Sequence, residues 1–164
     1  MRHLSHKKDR FLSVSDSYSS LFNYSNPKEQ LLTSSAVMNF IWNNWNNFWR
    51  DFWLAYVSGG YDLRDNKIIP IHPHFNDKQS CNYLLILCGK KKLGTLGNSI
   101  NGNYQELTWG DPHVISDIAS KLPTYQTDMN QLLGFLGHYQ RDIEHFQRIR
   151  NCFIHLNNEN VYIS

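Results

Sequence analysis

The sequence predicts an all-α protein, a helical bundle of four to five main helices with a loop or short extended insertion around residues 58–79. Two long stretches place apolar side chains at steps of three and four residues with polar side chains opposite, the period of an amphipathic helix. Asn-Pro and Asp-Pro pairs open two of the helical patterns, because proline is tolerated at a first helical position. With 164 residues, 41% of them hydrophobic, the chain can bury one core of ordinary size.

The N-terminal part of the chain divides into an arm and a long helix. Residues 1–25 are rich in Ser, Lys and His and are interpreted as an N-terminal arm, either loose or helical, and residues 26–164 as a single helical domain. Asn26-Pro27 opens the first long helix, and the two glycines after Ser58 end it. Its apolar stripe comprises Leu31, Val37, Met38, Ile41, Trp45, Phe48, Phe52 and Tyr56.

Three further elements follow an insertion. Residues 61–79 contain two prolines and are interpreted as a loop or short extended segment. Residues 80–92 favour a second helix ending in three lysines, although their Leu-Leu-Ile-Leu run also fits a strand. A shorter helix starts at Asp111-Pro112 and runs towards Leu122. The last helix has the clearest stripe, formed by Met129, Leu132, Leu133, Leu136, Tyr139, Ile143, Phe146, Ile149 and Phe153.

Composition limits the functional classes. The net charge is only +2, so a nucleic-acid partner would need a local site rather than a general basic field. Three cysteines without a CxxC pair, and no secretory leader, favour a reducing compartment, and we expect a cytoplasmic protein. No stretch approaches the roughly 20 apolar residues that span a bilayer, so no membrane partner is expected. The sequence contains no Walker loop, no Rossmann fingerprint and no nucleophile elbow.

The last helical pattern runs into the decapeptide RIRNCFIHLN, which brings Arg150, Asn151 and His155 within six residues. Cleaving RNA without a metal needs a group that removes the 2′-hydroxyl proton and a group that protonates the leaving 5′ oxygen. Histidine suits both tasks because its pKa lies close to working pH. Arginine suits the charge on phosphorus because its planar fork meets two phosphate oxygens. We therefore interpret these three residues as catalytic candidates and expect neither metal nor cofactor.

Helix geometry constrains this interpretation. Five residues along an uninterrupted α-helix turn through about 500°, so Arg150 and His155 would point roughly 140° apart. Either the helix gives way around these residues, or a second copy of the chain completes the site. A two-fold dimer is favoured, because two symmetry-related histidines can divide the roles of base and acid.

The pattern of an apolar helix running into Arg150-Asn151-x-x-x-His155 resembles the HEPN superfamily of helical ribonucleases. Its hallmark is an arginine, usually followed by a polar residue, and a histidine after four to six intervening positions; Arg150, Asn151 and His155 match these three positions. The resemblance implies a homodimeric, metal-independent endoribonuclease that leaves a 2′,3′-cyclic phosphate. It also implies a toxin–antitoxin or anti-phage setting, with an antitoxin or regulatory protein as a further partner. The subgroup with nucleotidyltransferase antitoxins has a tyrosine where this chain has Asn157. The alternative function is a catalytically inactive helical module that binds nucleotide, RNA or a protein.

Other residues have weaker functional interpretations. Arg141, His145 and Arg148 on the polar side of the last helix, and Lys91 in the triple lysine, are candidates for RNA contacts, with solvated surface charge as the alternative.

The histidines of His72-Pro73-His74 and the nearby cysteines are residue types that can bind zinc. Because Cys81 and Cys88 fall within an apolar helix pattern, buried packing is favoured instead. Four tryptophans at helical spacing are suited to stacking on bases, but core or dimer interface is the favoured interpretation. They are Trp42, Trp45, Trp49 and Trp53.

Overall fold

The computed structural model describes residues 2–19, 26–90, 98–100, 105–123 and 125–158, with side chains described up to residue 18 in the first range and residue 153 in the last. Within these ranges the chain forms five α-helices and one small sheet, which confirms the predicted all-α bundle. The helices are α1 (Leu4–Ser19), α2 (Pro27–Ser58), α3 (Asp77–Leu87), α4 (Pro112–Lys121) and α5 (Gln126–Asn158). The strands are β1 (Arg2–His3), β2 (Gly60–Tyr61) and β3 (Lys67–Ile68).

The N-terminal residues pack on the rest of the bundle. Residues 4–19, for which the sequence left a loose arm and a helix open, form α1, which lies along α2. Strand β1 pairs in parallel with β2, and β2 pairs antiparallel with β3. Leu4, directly after β1, is 1% exposed and belongs to the hydrophobic core. The short extended insertion predicted around residues 58–79 is therefore a β2–β3 hairpin with β1 added at its edge.

Helix α2 begins and ends as the sequence predicts. The side-chain oxygen of Asn26 accepts a hydrogen bond from the backbone N–H of Lys28 at 3.0 Å, and Pro27 occupies the first helical position. At the other end Gly59 has a φ of 107°, a conformation that is strained for residues with a Cβ atom, so the chain turns away here into β2.

Helix α3 differs from its prediction at both ends. It begins at Asp77, three residues early, because Asn76 and Gln79 form a capping box. The Asn76 side chain accepts from the Gln79 N–H at 3.0 Å, and the Gln79 side chain accepts from the Asn76 N–H at 2.9 Å. The helix ends at Leu87, so Lys90 follows the helix rather than closing it, and Lys91 lies outside the described residues.

The two long helices, α2 and α5, run antiparallel. Tyr56 near the end of α2 contacts Tyr125 just before α5, with ring centroids 5.0 Å apart. Trp42, nearer the start of α2, stacks with Phe146 towards the end of α5 at 6.2 Å. This arrangement aligns the N-terminal half of α2 with the C-terminal half of α5.

The hydrophobic core lies at one end of this helix pair. It is built from the C-terminal half of α2, the N-terminal half of α5, and helices α3 and α4. Its most deeply buried large side chains include Trp53, Leu54, Leu84, Ile115, Ile118, Met129 and Leu136. Trp42, Trp49 and Trp53 are buried, which confirms core packing for most of the tryptophan stripe. The other half of the α2–α5 pair is less covered, and Arg150 lies there.

Candidate functional site

The Arg150 guanidinium is held by two amide oxygens. Its Nε and Nη2 donate to the side-chain oxygen of Asn39 on α2, at 3.1 and 2.8 Å. Its Nη1 donates to the side-chain oxygen of Asn151, the next residue on α5, at 3.1 Å. Both acceptors are neutral, so within the described residues the charge of Arg150 is oriented without being balanced by a carboxylate.

Arg150 keeps both charge and donor capacity. Burial lowers its pKa from the ordinary value, yet an arginine remains protonated throughout the working pH range. A guanidinium carries five N–H donors, of which these contacts use three. With respect to the described residues, one N–H on each terminal nitrogen is therefore left for a further acceptor, the two-pronged arrangement that suits a phosphate.

Arg150 borders a cleft of about 600 Å³ on the side of α2. The cleft combines aromatic rings, side-chain amides and two arginines. Its lining residues are Trp42, Asn43, Asn46, Asn47, Arg50, Glu106, Leu107, Thr108, Trp109 and Arg150. Within the described part of the chain, the side chains of Asn43 and Asn47 make no hydrogen bond and are exposed. Two unpaired amides in one cleft can accept from and donate to a polar ligand.

The second arginine of this cleft, Arg50, is neutralised by Glu106. Arg50 donates from Nε and Nη2 to the two carboxylate oxygens, at 2.6 and 2.9 Å, and this pairing raises its pKa. Burial pushes the pKa of Glu106 upwards, but hydrogen bonds from Arg50 and from Trp109 Nε1, at 2.8 Å, outweigh it and leave that pKa below the ordinary value. The two arginines of the cleft therefore differ: one is paired with an acid, and the other is free to meet an anion.

The segment that carries Glu106 and Trp109 is tied to α2 at Gly110. Trp45 Nε1 donates to the carbonyl oxygen of Gly110 at 2.9 Å, and the Gly110 N–H donates to the side-chain oxygen of Asn46 at 2.8 Å. A Cβ atom at this position would meet the Trp45 ring, so the close approach needs glycine. These contacts anchor the segment from Glu106 to Trp109, which lines one side of the cleft.

Sequence reasoning missed Asn39, Arg50 and Glu106. Asn39 and Arg50 stand among several polar residues on α2, and Glu106 follows a Gly- and Asn-rich segment, so no spacing distinguishes them. For Asn39 and Arg50 the one local signal is the density of asparagine on the polar face of α2, because asparagine is a weak helix former.

Among the other predicted site residues whose side chains the structure describes, only Asn151 contacts Arg150. His155 lies in the helical backbone of α5, but its side chain is outside the described residues. Helix α5 continues to Asn158, so the suggestion that the helix gives way near these residues is wrong. Arg141, His145 and Arg148 are exposed and are not among the residues that line the Arg150 cleft; Arg148 lies 3.9 Å from Glu144.

In the part of the chain that the structure describes, no group of three or more His, Cys, Asp or Glu side chains is placed to hold a metal, so these residues give the zinc hypothesis no support. His72 stacks on Phe75, with ring centroids 4.4 Å apart, and its edge meets Tyr83. Cys81 and Cys88 are buried free thiols, which confirms their packing role. Burial raises the pKa of Cys81 to about 12 and that of Cys88 to about 11.

No family model, no curated protein and no solved structure matches this chain. Among the described residues, none of the helices combines the length and the apolar character needed to cross a membrane.

Proposed function

We propose that this protein is a metal-independent endoribonuclease of the HEPN type, acting as a homodimer with Arg150, Asn151 and His155 in its active site. One observation carries the proposal. Arg150 is fixed by Asn39 and Asn151 through neutral oxygens, which orients the guanidinium while leaving its charge for a phosphate.

The contrast with Arg50 supports this assignment. An arginine that only stabilises the fold is normally paired with an acid, because an unpaired charge is costly to bury. Arg50 follows that rule through Glu106, whereas Arg150, part-buried in the same cleft, does not. A cation kept beside amides in a cleft has the electrostatics needed to stabilise negative charge developing on a ligand.

The proposed reaction needs no group outside the protein. The 2′-hydroxyl oxygen attacks phosphorus in line, the bond from phosphorus to the 5′ oxygen breaks, and a 2′,3′-cyclic phosphate and a 5′-hydroxyl result. One His155 imidazole accepts the 2′-hydroxyl proton, and a protonated His155 from the second copy donates a proton to the leaving oxygen. Arg150 stabilises the charge on the phosphorus centre, and Asn151 positions Arg150.

Two features support the dimer. Because α5 is continuous, positions 150 and 155 lie about 140° apart around its axis, too far for one straight helix to present both to one phosphate. The outer face of α5 also exposes large apolar side chains, namely Phe135 (48%), Tyr139 (43%) and Ile149 (49%). Apolar side chains exposed along one helix are typical of a surface that another chain covers.

The setting we propose is that of a toxin or anti-phage effector in the cytoplasm, held in check by an antitoxin or regulatory protein. In that setting the wild-type chain should arrest growth on expression, and Arg150→Ala should relieve the arrest. If wild type and Arg150→Ala express equally well, the toxin setting fails.

Cleavage in EDTA tests the enzymatic proposal directly. Purified wild-type protein and its His155→Ala and Arg150→Ala variants are incubated with total RNA, and the 3′ ends are analysed for cyclic phosphate. Cleavage that persists in EDTA and disappears in both variants supports the nuclease. Equal background in all three proteins would overturn it and leave the alternative, a helical module that binds RNA, nucleotide or protein.

A further inference from the structure

A second cleft, of about 300 Å³, lies between α1 and α2 and shares Asn47 and Arg50 with the cleft that Arg150 borders. It is lined by Lys7, Arg10, Phe11, Asn44, Asn47, Phe48, Arg50 and Asp51. Three cations, one carboxylate, two amides and two aromatic rings thus border one cavity. That combination is suited to a nucleotide, which presents a phosphate, polar base edges and a flat ring.

Arg10 is the cation available to a ligand. Its side chain is exposed and lies within 4 Å of no acidic group among the described residues. Lys7 donates to Asp51 at 2.7 Å, and Asp51 also lies 3.8 Å from Arg2, so this one carboxylate is shared between two cations. The Lys7 ammonium has three N–H donors, so donors remain for a second acceptor beside Asp51.

The aromatic rings form the apolar wall of this cleft. Phe11 on α1 and Phe48 on α2 are half-buried, so each still presents part of its ring to the cavity. Phe11 packs against Trp45 at 5.9 Å, and Phe48 packs edge-on against Trp49 at 5.6 Å. Rings fixed by neighbouring rings are ready-made platforms for a base, because little side-chain freedom is lost on stacking.

The two clefts are connected along α2. Asn47 and Arg50 line both of them, and the exposed amide of Asn47 makes no hydrogen bond within the described residues. From Asn39, which holds Arg150, to Asn47 the helix rises about 12 Å. Because the two clefts share Asn47 and Arg50, a single strand laid across α2 can contact both clefts.

We propose that the α1–α2 cleft binds one nucleotide of a single-stranded RNA, with its phosphate at Arg10 and Lys7 and its base against Phe11 and Phe48. The identity of the strand as RNA rests on the proposed function, whereas the phosphate-and-base subsite rests on the cleft itself. This subsite holds the strand at a distance from the scissile linkage and so selects substrates with unpaired bases.

Equilibrium binding tests the subsite in the full-length His155→Ala protein, in EDTA, so that the strand stays intact. The probe is a labelled single-stranded oligoribonucleotide of about eight nucleotides, a common site size for single-strand binders. Arg10→Gln is added to this protein, and Arg64→Gln, which removes an exposed arginine from the β2–β3 turn, is the matched control. Melting temperatures verify that each variant folds.

Arg10→Gln should weaken binding at least about fivefold and lower the slope of log affinity against log salt by about 0.7, the loss of one phosphate contact on a single strand. Phe11→Leu should weaken the binding of the single strand by about fivefold or more. It should leave the binding of a duplex of the same sequence unchanged, because paired bases cannot stack on the ring. Arg64→Gln should bind like the parent protein.

Two results would overturn the subsite: Arg10→Gln binding as tightly as Arg64→Gln, or Phe11→Leu weakening duplex and single strand alike. These outcomes are independent of catalysis. If the wild-type protein cleaves no RNA but Arg10→Gln still loses affinity, the nuclease proposal fails and the subsite stands. If cleavage requires Arg150 but Arg10→Gln changes nothing, the subsite alone fails.

Discussion

Arg150 on α5 donates two hydrogen bonds to the single side-chain oxygen of Asn39 on α2, over 3.1 and 2.8 Å. An asparagine at this position fixes the direction of the guanidinium and leaves its charge unbalanced. An aspartate of the same shape would fix the direction and also neutralise the charge. Asn39 therefore orients Arg150 without neutralising it.

Asn39→Asp should strongly slow RNA cleavage while preserving the fold. The new carboxylate would form an ion pair with Arg150, and we expect single-turnover RNA cleavage to fall about 100-fold, the usual cost of losing one oriented donor at a reacting centre. The melting temperature should stay the same or rise. The matched control is Asn130→Asp, which makes the same substitution at an exposed position of α5 that does not line the cleft. If both variants lose activity equally, general repulsion explains the loss and the role of Asn39 is refuted.

Ile149→Glu should separate the proposed dimer. Ile149 is half-exposed next to Arg150, and a charge at the centre of an apolar contact between subunits is strongly unfavourable. Light scattering should show a monomer, and cleavage should be lost with little change in melting temperature. Leu63→Glu, a similarly exposed leucine in the β2–β3 turn, should remain dimeric and active. A wild-type protein that is monomeric at working concentrations would contradict this prediction.

Glu106→Gln should make the free energy of unfolding depend less on pH at acid pH. The pKa of Glu106 is lower in the folded chain than in the unfolded one, so its contribution to the free energy of unfolding is present above the unfolded pKa of about 4.3. That contribution is lost as the pH falls through the lower pKa that Glu106 has in the folded chain. At pH 7 the substitution should cost about 2 kcal/mol, typical of a hydrogen bond to a charged group.

Thermal melts between pH 7 and pH 3 measure this effect. The gap between wild type and Glu106→Gln should close towards the acid end, because protonated Glu106 no longer attracts Arg50. Glu29→Gln, at an exposed position in the first turn of α2, serves as the control for loss of a carboxylate. A gap that stays constant across this range would show that the ion pair contributes nothing.

Gly110→Ala should destabilise the wall of the cleft. The added methyl group would meet the Trp45 ring and strain two hydrogen bonds, those of Trp45 and Asn46 to Gly110. Forced overpacking costs about 2 kcal/mol, which for a chain of this size lowers the melting temperature by about 4–8 °C. Gly137→Ala, where a methyl group meets open space on α5, should instead be neutral or stabilising. Equal melting temperatures for both variants would show that the segment is not anchored at Gly110.

The three thiols should differ in reactivity. Cys152 is exposed, whereas Cys81 and Cys88 are buried and burial raises their pKa to about 12 and about 11, so at pH 8 they carry almost no thiolate. A disulfide reagent should label one thiol rapidly in the native protein and all three after unfolding. Cys152→Ser should remove the rapid phase; rapid labelling that survives this substitution would contradict the buried placement.

Much of the fold was readable from local patterns. The starts of α2 and α4 followed from Asn26-Pro27 and Asp111-Pro112, and the end of α2 from the glycines after Ser58, because capping involves residues only a few positions apart. The start of α3 was misread although its capping box is also local, since the apolar run after Ser80 dominated the pattern. Periodicity likewise identified the stripe of α5, but could not tell which part of it would remain uncovered.

The residues beside Arg150 depend on packing across the whole chain. Asn39 is 111 positions away from Arg150, and Glu106 is 56 positions away from Arg50. Nothing in either neighbourhood marks these partners, because they meet only after α2 and α5 pack antiparallel and Gly110 anchors the intervening segment. Local chemistry therefore specified the helices and supplied the reactive residue types, whereas long-range packing determined which arginine is neutralised and which keeps its charge.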